Sequence, residues 1–378
     1  MSIVIDARDV TPTLSGIGRY VLGIVRSIAE VQGLANVRVL SSDVDVLNSH
    51  LPAVHGLDLV ALPYRPLSVK TQTHLPRLLR SLNASLYHAP YLTAPLRMRV
   101  PIVVTVHDLI PERMPEGLMK SWKVRARFFW KQWSKAQYRA AAAIVTVSDF
   151  SRKELIQYAG IDADRVTRIY NGVDRPAVQA NETGHLPASV RDGQGPVISY
   201  VGRQDPYKNI VTLVRARDIV TRTSPELNAI CVIAGQLDPR YTEARTLGQS
   251  LQLGDRIQFP GYVTEQQRIA LLQASSVFVF PSRYEGFGLP PLEAMSLGVP
   301  VVASNAASLP EVLGNAALLN DPMDAGGFAR DIERILKNKD VALQYAVAGR
   351  AQAARFSWNE SARQHVALYD RVLRSQAK

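Results

Sequence analysis

The stretch PSRYEGFGLPPLEAMSLGVPVVAS, residues 281–304, holds in succession a strand exit, a glycine loop, a short helix and the next strand. The run before it, SVFVF over 276–280, is apolar and rich in strand formers, as a strand buried on both faces must be. In Tyr284-Glu285-Gly286-Phe287-Gly288, two glycines let the backbone approach a ligand closely. Pro290 and Pro291 suit the first turn of a helix, where a missing N–H costs nothing. Gly298 closes the helix LEAMSL, and VPVVAS is the next strand. Glu285 is thus expected on the loop and Glu293 in the first helical turn, beside backbone N–H groups and the positive end of a helix dipole. Two carboxylates would repel a phosphate, so they are expected to face hydrogen-bond donors such as sugar hydroxyls. The plain structural alternative is a solvated Glu285 and a Glu293 that only complements the dipole.

Lys208 stands 77 residues before Glu285, and Arg203 five before that, in GRQDPYKN at the end of the strand-like VISYVG. Arg offers phosphate oxygens a planar fork and Lys a point charge, each charge-assisted bond contributing roughly 1.5–3 kcal/mol. G-R-x-D-P-x-K-N followed by Glu-x7-Glu around G-F-G-L-P resembles the donor-binding motifs of retaining glycosyltransferases of family 4, which have the GT-B fold. The resemblance implies that Arg203 and Lys208 bind the donor diphosphate. It implies that Glu285, with Gly286, Phe287, Gly288 and Leu289, holds the sugar and that Glu293 holds the ribose. Backbone groups from Ile257 to Gly261, in DRIQFPGYV, would lie beside the nucleotide base.

At 378 residues with 47% hydrophobic content, the chain is long enough for two domains with separate cores. Its one cysteine, Cys231, excludes an internal disulfide framework and sits in the apolar run AICVIAG as core filler. No apolar run reaches the roughly 18–20 residues of a membrane span, and MSIVIDARDV reads as a first strand, not a secretory signal. A cytoplasmic protein is expected, either free or peripheral on the inner face of the cytoplasmic membrane. The net charge of +11 is unevenly placed. No acidic residue occurs from Leu59 to His107, nor from Gly117 to Arg139, where seven basic ones do. That asymmetry points to a polyanionic partner: nucleic acid, anionic lipid or a phosphorylated substrate.

In the first half, strand-like and helix-like stretches alternate, the pattern of an open parallel sheet. SIVIDA is the first strand, followed by a loop carrying Gly16 and Gly18 and by the helix YVLGIVRSIAEVQG, which ends at Gly33. Such sheets bind phosphates at a glycine turn there, but the third glycine of a dinucleotide fingerprint is missing. The resemblance puts this loop near the donor phosphates and the acceptor. Asp43-Val44-Asp45 matches the D-x-D of metal-dependent transferases of another fold, but it stands early on a surface loop, and no metal is expected. His107 ends the strand IVVTVHD, where ligands of open sheets lie, and V-H-D-L-x-P is similar to the family segment whose His reaches the donor sugar. His88, at the end of its own strand, is a weaker candidate for the acceptor cleft. V-T-V-S-D-F-S, with Ser148 as an N-cap, is similar to the family as well.

From Leu118 to Ala141, the basic residues Lys123, Arg127, Lys131, Lys135 and Arg139 recur every four positions, beside Trp122, Phe129 and Trp133. The pattern is an amphipathic helix that buries its aromatic face on the sheet or lays it on an anionic membrane surface. Aromatic and basic interleaving also suits single-stranded nucleic acid, but nothing else resembles a nucleic-acid module and no such partner is expected.

The expected fold is α/β with GT-B architecture: two Rossmann-like, doubly wound domains facing a central cleft. An acceptor domain takes residues 1–175, a linker 176–195 and a donor domain 196–357, while a C-terminal helix over 358–378 packs back on the first domain at Trp358. The expected activity is retaining, metal-independent transfer of a hexose from a nucleotide diphosphate sugar, a co-substrate, with no cofactor. Arg203 and Lys208 would stabilise the leaving diphosphate, while His107 and Glu285 orient the sugar. The D-A-R opening and the G-I-G-R-Y loop look like mannosyltransferases of bacterial surface polysaccharides. GDP-mannose is therefore the favoured donor, and a lipid diphosphate-linked saccharide the favoured acceptor. UDP-glucose and dTDP-rhamnose are alternative donors, and a soluble sugar an alternative acceptor. A non-catalytic sugar-binding protein and a dinucleotide-dependent oxidoreductase are opposed by Arg203 and Lys208 and by the incomplete glycine fingerprint.

Overall fold

Mostly apolar runs of three to five residues assemble into two sheets whose strands are all parallel. The structure, a computed structural model, describes residues 2–33, 36–52, 54, 56–114, 126–174, 190, 193 and 195–376. They divide into two units. The first draws on Met1–Leu109, Ala126–Gly172 and Phe356–Lys378, the second on Ile110–Arg125 and Val173–Arg355. Apart from Val190, Gly193 and Gly195, the expected linker lies outside the described residues, as does the 118–125 part of the expected amphipathic helix.

The first unit contains β1 (Ile3–Asp6), β2 (Val37–Ser41), β3 (Asp58–Ala61), β4 (Leu86–Ala89), β5 (Ile102–Val106), β6 (Ala143–Thr146) and β7 (Val166–Arg168). Their order across the sheet is β3-β2-β1-β4-β5-β6-β7. The second unit contains β8 (Val197–Val201), β9 (Ile230–Ala234), β10 (Ile257–Gly261), β11 (Val277–Phe280), β12 (Val301–Ser304) and β13 (Leu318–Asn320). Their order is β10-β9-β8-β11-β12-β13. Both are doubly wound, as expected. The order reverses between β1 and β4 and between β8 and β11, and at such a reversal a crevice opens beyond the carboxyl ends of the two strands. Core strands such as β1, β5, β8 and β11 are buried at every position, which is why they read as unbroken apolar runs. The edge strand β3 is half exposed and gave no such signal.

The helix Trp358–Gln376 belongs to the first unit. Trp358 seats its ring against Gly23, where a Cβ would lie 2.4 Å from the ring, and its backbone against Gly172, where a Cβ would lie 2.2 Å away. This helix also carries two ends of a buried hydrogen-bond chain whose proton order is determined. The Ser361 carbonyl can only accept, so His365 donates to it from Nδ1 (2.7 Å), and, because burial keeps this ring neutral, it accepts at Nε2. Tyr20 donates to His365 Nε2 (2.8 Å) and accepts from Thr105 Oγ1 (2.8 Å). Thr105 in turn accepts from His88 Nε2 (2.8 Å), and His88 Nδ1 accepts from the Tyr369 hydroxyl (2.7 Å). Burial holds His88 well below the ordinary histidine range and pushes His365 down to about 4. This corrects the expectation for His88, which stands on β4, fully buried beneath the C-terminal helix, and lines no cleft.

Three further expectations change. Gly16 and Gly18 are not in a loop but in the first turn of the helix Gly16–Gln32, whose N-cap Ser15 takes the Gly18 N–H at 3.1 Å. Asp43 caps the helix Val44–His50 by accepting from the amides of Asp45 and Val46. In the helix Arg127–Ala140 the buried aromatics are Trp130 and Tyr138, while Phe128 and Phe129 are exposed. The inward stripe runs through Trp130, Ser134, Gln137 and Tyr138, one position off the periodicity of Phe129 and Trp133. Cys231 is buried in β9, and burial pushes its thiol up to about 12, so it is core filler as expected.

Candidate active site

The two strands flanking the reversal in the second sheet, β8 and β11, each end in one of the loops singled out in the sequence. The loop after β8 carries Arg203, Gln204, Asp205 and Lys208, and the loop after β11 carries Glu285. They are stitched together. Arg283 donates its backbone N–H to the Tyr207 carbonyl at 2.8 Å, and Asn209 Nδ2 donates to the carbonyls of Pro281 (3.0 Å) and Pro322 (2.6 Å). Asn209 adopts a left-handed conformation (φ 57°), which lets the chain turn from the Pro206–Lys208 3₁₀ turn into the helix Ile210–Thr223.

Across this stitched pair, Lys208 Nζ meets Glu285 Oε1 at 2.7 Å, with both side chains nearly buried. Burial works against the Lys208 charge, and the Glu285 carboxylate more than offsets it, so the ammonium is held above its ordinary range. Ser308 Oγ donates to the Glu285 carbonyl at 3.0 Å and pins the loop from below. Arg203 is largely exposed and forks onto Asp205, Nε to Oδ2 at 2.7 Å and Nη2 to Oδ1 at 3.1 Å. Gln204, which sequence reasoning passed over, has its Nε2 donor buried with no partner among the described residues. An unsatisfied buried donor in this loop is a position where a ligand acceptor fits.

Gly288 takes φ +99° as N-cap of the helix Leu289–Ser296, and a Cβ there would lie 2.7 Å from Leu309 Cδ2. Only glycine turns this corner without strain. Because the helix begins at Leu289, Pro290 and Pro291 occupy its second and third positions and contribute no N–H, so fewer amides point out of this end than expected. Glu293 is the fifth helical residue. It lies in the second turn, not the first, so it does not complement the dipole. It is held instead by Arg268 of the helix Glu265–Ala274, Nη1 to Oε2 at 2.6 Å, a partner 25 residues away that no motif signalled. Burial works against the Arg268 charge, and Glu293 and Glu265 more than offset it.

Ile257 falls on the other side. It is the first residue of β10 and pairs with Cys231, so it sits at the amino edge of the sheet, about 13 Å along the strand from Gly261. Gly261 is the end of that segment on the site edge, where its carbonyl accepts from the Gly235 amide at 2.8 Å.

In the first unit, His107 follows β5 at the carboxyl edge of its sheet. Its Nε2 donates to the Pro90 carbonyl at 2.9 Å, and the Tyr20 ring meets it edge-on at 4.8 Å. Burial pushes its pKa down to about 4. The ring is a neutral imidazole whose proton is committed to Pro90, leaving Nδ1 as an acceptor. Lys208 and Glu285 are thus brought together, Arg203 turns onto Asp205 in the same loop, Glu293 stands one helix further on, and His107, Gly16 and Gly18 lie at the carboxyl edge of the other sheet.

Residues 185–352 match the family description "Glycosyl transferases group 1", and residues 14–175 match "Glycosyltransferase Family 4". The chain is 32% identical to O-antigen chain mannosyltransferase B of Escherichia coli, over 98% of this chain and 99% of that one. Among solved structures it is similar to Anabaena Alr3699/HepE in complex with UDP-glucose, with TM-score 0.78 and 19% identity over 98% of this chain and 99% of that one. It is also similar to sucrose-phosphate synthase from Thermosynechococcus elongatus, with TM-score 0.76 and 23% identity over 99% of each chain. At these identities the two structural likenesses show the fold, GT-B, and nothing of the substrate.

Proposed function

The chain belongs to glycosyltransferase family 4, and from that premise we propose that it is a retaining transferase that moves mannose from GDP-mannose to a hydroxyl of a lipid diphosphate-linked saccharide in surface polysaccharide synthesis. The observation that supports this most directly is the Lys208–Glu285 pair at the reversal of the second sheet. Donor and acceptor groups for a sugar diphosphate stand side by side there. The charges of Arg203, Asp205, Lys208 and Glu285 cancel, so the site does not attract anions by excess charge. Donor binding is an exchange: phosphate oxygens take over hydrogen bonds from Lys208, Arg203 and Gln204, and Glu285 turns to accept from the sugar hydroxyls.

As the anomeric bond to the diphosphate breaks, negative charge grows on the leaving phosphate beside Lys208 and Arg203, which are already in position to stabilise it. These cations supply the charge stabilisation, so no metal step is invoked, and no cofactor takes part. The departing phosphate oxygen accepts the proton of the attacking hydroxyl on the same face of the sugar, which gives retention. His107 acts through its Nδ1 lone pair, orienting a sugar hydroxyl; with a pKa of about 4 and its proton held by Pro90, it is not the proton donor. Mannose is chosen on the full-length likeness to the Escherichia coli mannosyltransferase. The protein would act at the inner face of the membrane, where such an acceptor is available; no described helix is long and apolar enough to cross it.

A thermal-shift series with GDP-mannose, UDP-glucose and dTDP-rhamnose, followed by transfer assays with the responding donor, tests this reading. A rise in midpoint confined to GDP-mannose is expected. A response to another nucleotide alone would replace the donor, and no response to any would remove the transferase assignment of this site.

A further inference from the structure

The acid-free stretch from Leu59 to His107 is not used by the donor site, and the structure gathers part of it around one cavity. The cavity, about 340 Å³, is lined by Pro76, Arg80, Arg97, Met98, Arg99 and Val100. Arg80 lies in the last turn of the helix Leu75–Ser81, shortly before β4, and Arg97 to Val100 immediately precede β5. Both approaches reach the amino edge of the first sheet, opposite to the edge where His107 emerges and where ligands of parallel sheets bind. The cavity therefore lies at the other end of this sheet from His107.

Its chemistry is uneven. Pro76, Met98 and Val100 are half-buried and form an apolar wall, while the three arginines are exposed around it. Arg80 spends one N–H on the Pro76 carbonyl at 3.3 Å, and no carboxylate pairs with any of the three among the described residues. Some arginines of this unit are answered, Arg8 by Asp6, Arg38 by Asp58 and Arg168 by Asp149, whereas Arg80, Arg97 and Arg99 stand together around one hollow without such a partner among the described residues. Three uncompensated guanidinium groups around one hollow repel each other unless an anion sits between them. Planar forks suit the oxygens of phosphate, and more than one fork suits two phosphates.

We propose that this cavity is a second anion site, which takes a phosphate-ester group of the diphosphate or phospholipid-headgroup class, with the apolar wall receiving the first carbons attached to it. Arg97 and Arg99 supply most of the attraction, and Arg80 closes the third side. Binding weakens with ionic strength, because the guanidinium groups are exposed.

The test compares the full-length protein with an Arg97→Gln/Arg99→Gln variant in two arms. One titrates inorganic pyrophosphate by calorimetry; the other floats the protein with phosphatidylglycerol vesicles against phosphatidylcholine vesicles. Loss of one pyrophosphate-binding component, or a drop of about tenfold in partition to the anionic vesicles, is expected for the variant. A loss in the first arm alone identifies a soluble phosphate ligand, and a loss in the second a lipid headgroup. Since the pyrophosphate component bound at Lys208 and Arg203 persists in the variant, failure of this proposal is distinguishable from failure of the donor site. Superimposable results for wild type and variant in both arms, or no binding by wild type in either, would overturn it. Should the double variant misfold, Arg99→Gln takes its place, with a smaller loss expected in the same arm and an unchanged result overturning the site.

Discussion

At Lys208 two requirements meet, because the ammonium must keep its charge while nearly buried and must still be available to a ligand. Glu285 satisfies the first at 2.7 Å. Lys208→Ala therefore strands a carboxylate and, on the proposed function, also removes a contact to the donor. Breaking a buried pair costs about 3–5 kcal/mol, and the slight exposure here puts the expected loss near the lower end. Denaturant unfolding should show that loss, and a Lys208→Met/Glu285→Gln variant should recover most of it, because no charge is then left alone. GDP affinity by calorimetry should fall about ten- to a hundredfold in both. Recovery of stability together with recovery of affinity would mean that Lys208 does not touch the nucleotide. Arg268 poses the same question one step further out. If it holds Glu293 against the ribose, Arg268→Ala raises the donor KM about tenfold and leaves kcat nearly unchanged. A fall in kcat with KM intact would place Glu293 elsewhere in the reaction.

Among the elements, the C-terminal helix Trp358–Gln376 is tied to its sheet by a chain in which every proton has one place. His88 and His365 are neutral in the fold and have folded pKa values below the unfolded value of about 6.5. The sign follows: above that pH neither state is charged and the chain adds no pH dependence. Below it the unfolded state binds protons that the folded state refuses, so stability falls as pH drops toward 4. The slope contributed by each histidine is about 1.4 kcal/mol per pH unit in that window. Thermal midpoints recorded from pH 7 to pH 4 should show this decline, and a His365→Gln variant, which cannot titrate, should decline less steeply. Equal slopes would show that His365 is not held neutral. The helix Arg127–Ala140 teaches the limits of periodicity, because its basic stripe is regular and yet its buried face is set by Trp130 and Tyr138 meeting the sheet.

In the whole molecule, the two sheets carry separate tasks. The residues proposed to take the donor, from Arg203 to Glu293, lie in the second unit, whereas Trp358 is packed against Gly23 and Gly172 of the first. Trp358→Ala should therefore destabilise the first unit by about 3–5 kcal/mol through the cavity it leaves. GDP affinity, read by calorimetry below the unfolding transition, should stay within about threefold of wild type, a difference well under 1 kcal/mol. A parallel loss of nucleotide binding would show that the donor loops depend on the first unit.

What the amino-acid order determined by itself was local. The apolar runs named the buried strands, the glycines and prolines of 281–304 named a strand, loop and helix, and GRQDPYKN with Glu-x7-Glu marked the two loops that meet beyond β8 and β11. These features are legible because each depends on neighbours within a few positions. The tertiary structure decided what depends on distant ones. It set Lys208 against Glu285 and Arg268 against Glu293, and it moved Glu293 into the second helical turn. It sent Ile257 to the far edge of its sheet and enclosed His88 in a proton-ordered chain. Strand order produces those meetings. β8 and β11 are adjacent only because the winding reverses between them, and that reversal is settled by how the helices cover both faces of the sheet, not by any short run of residues.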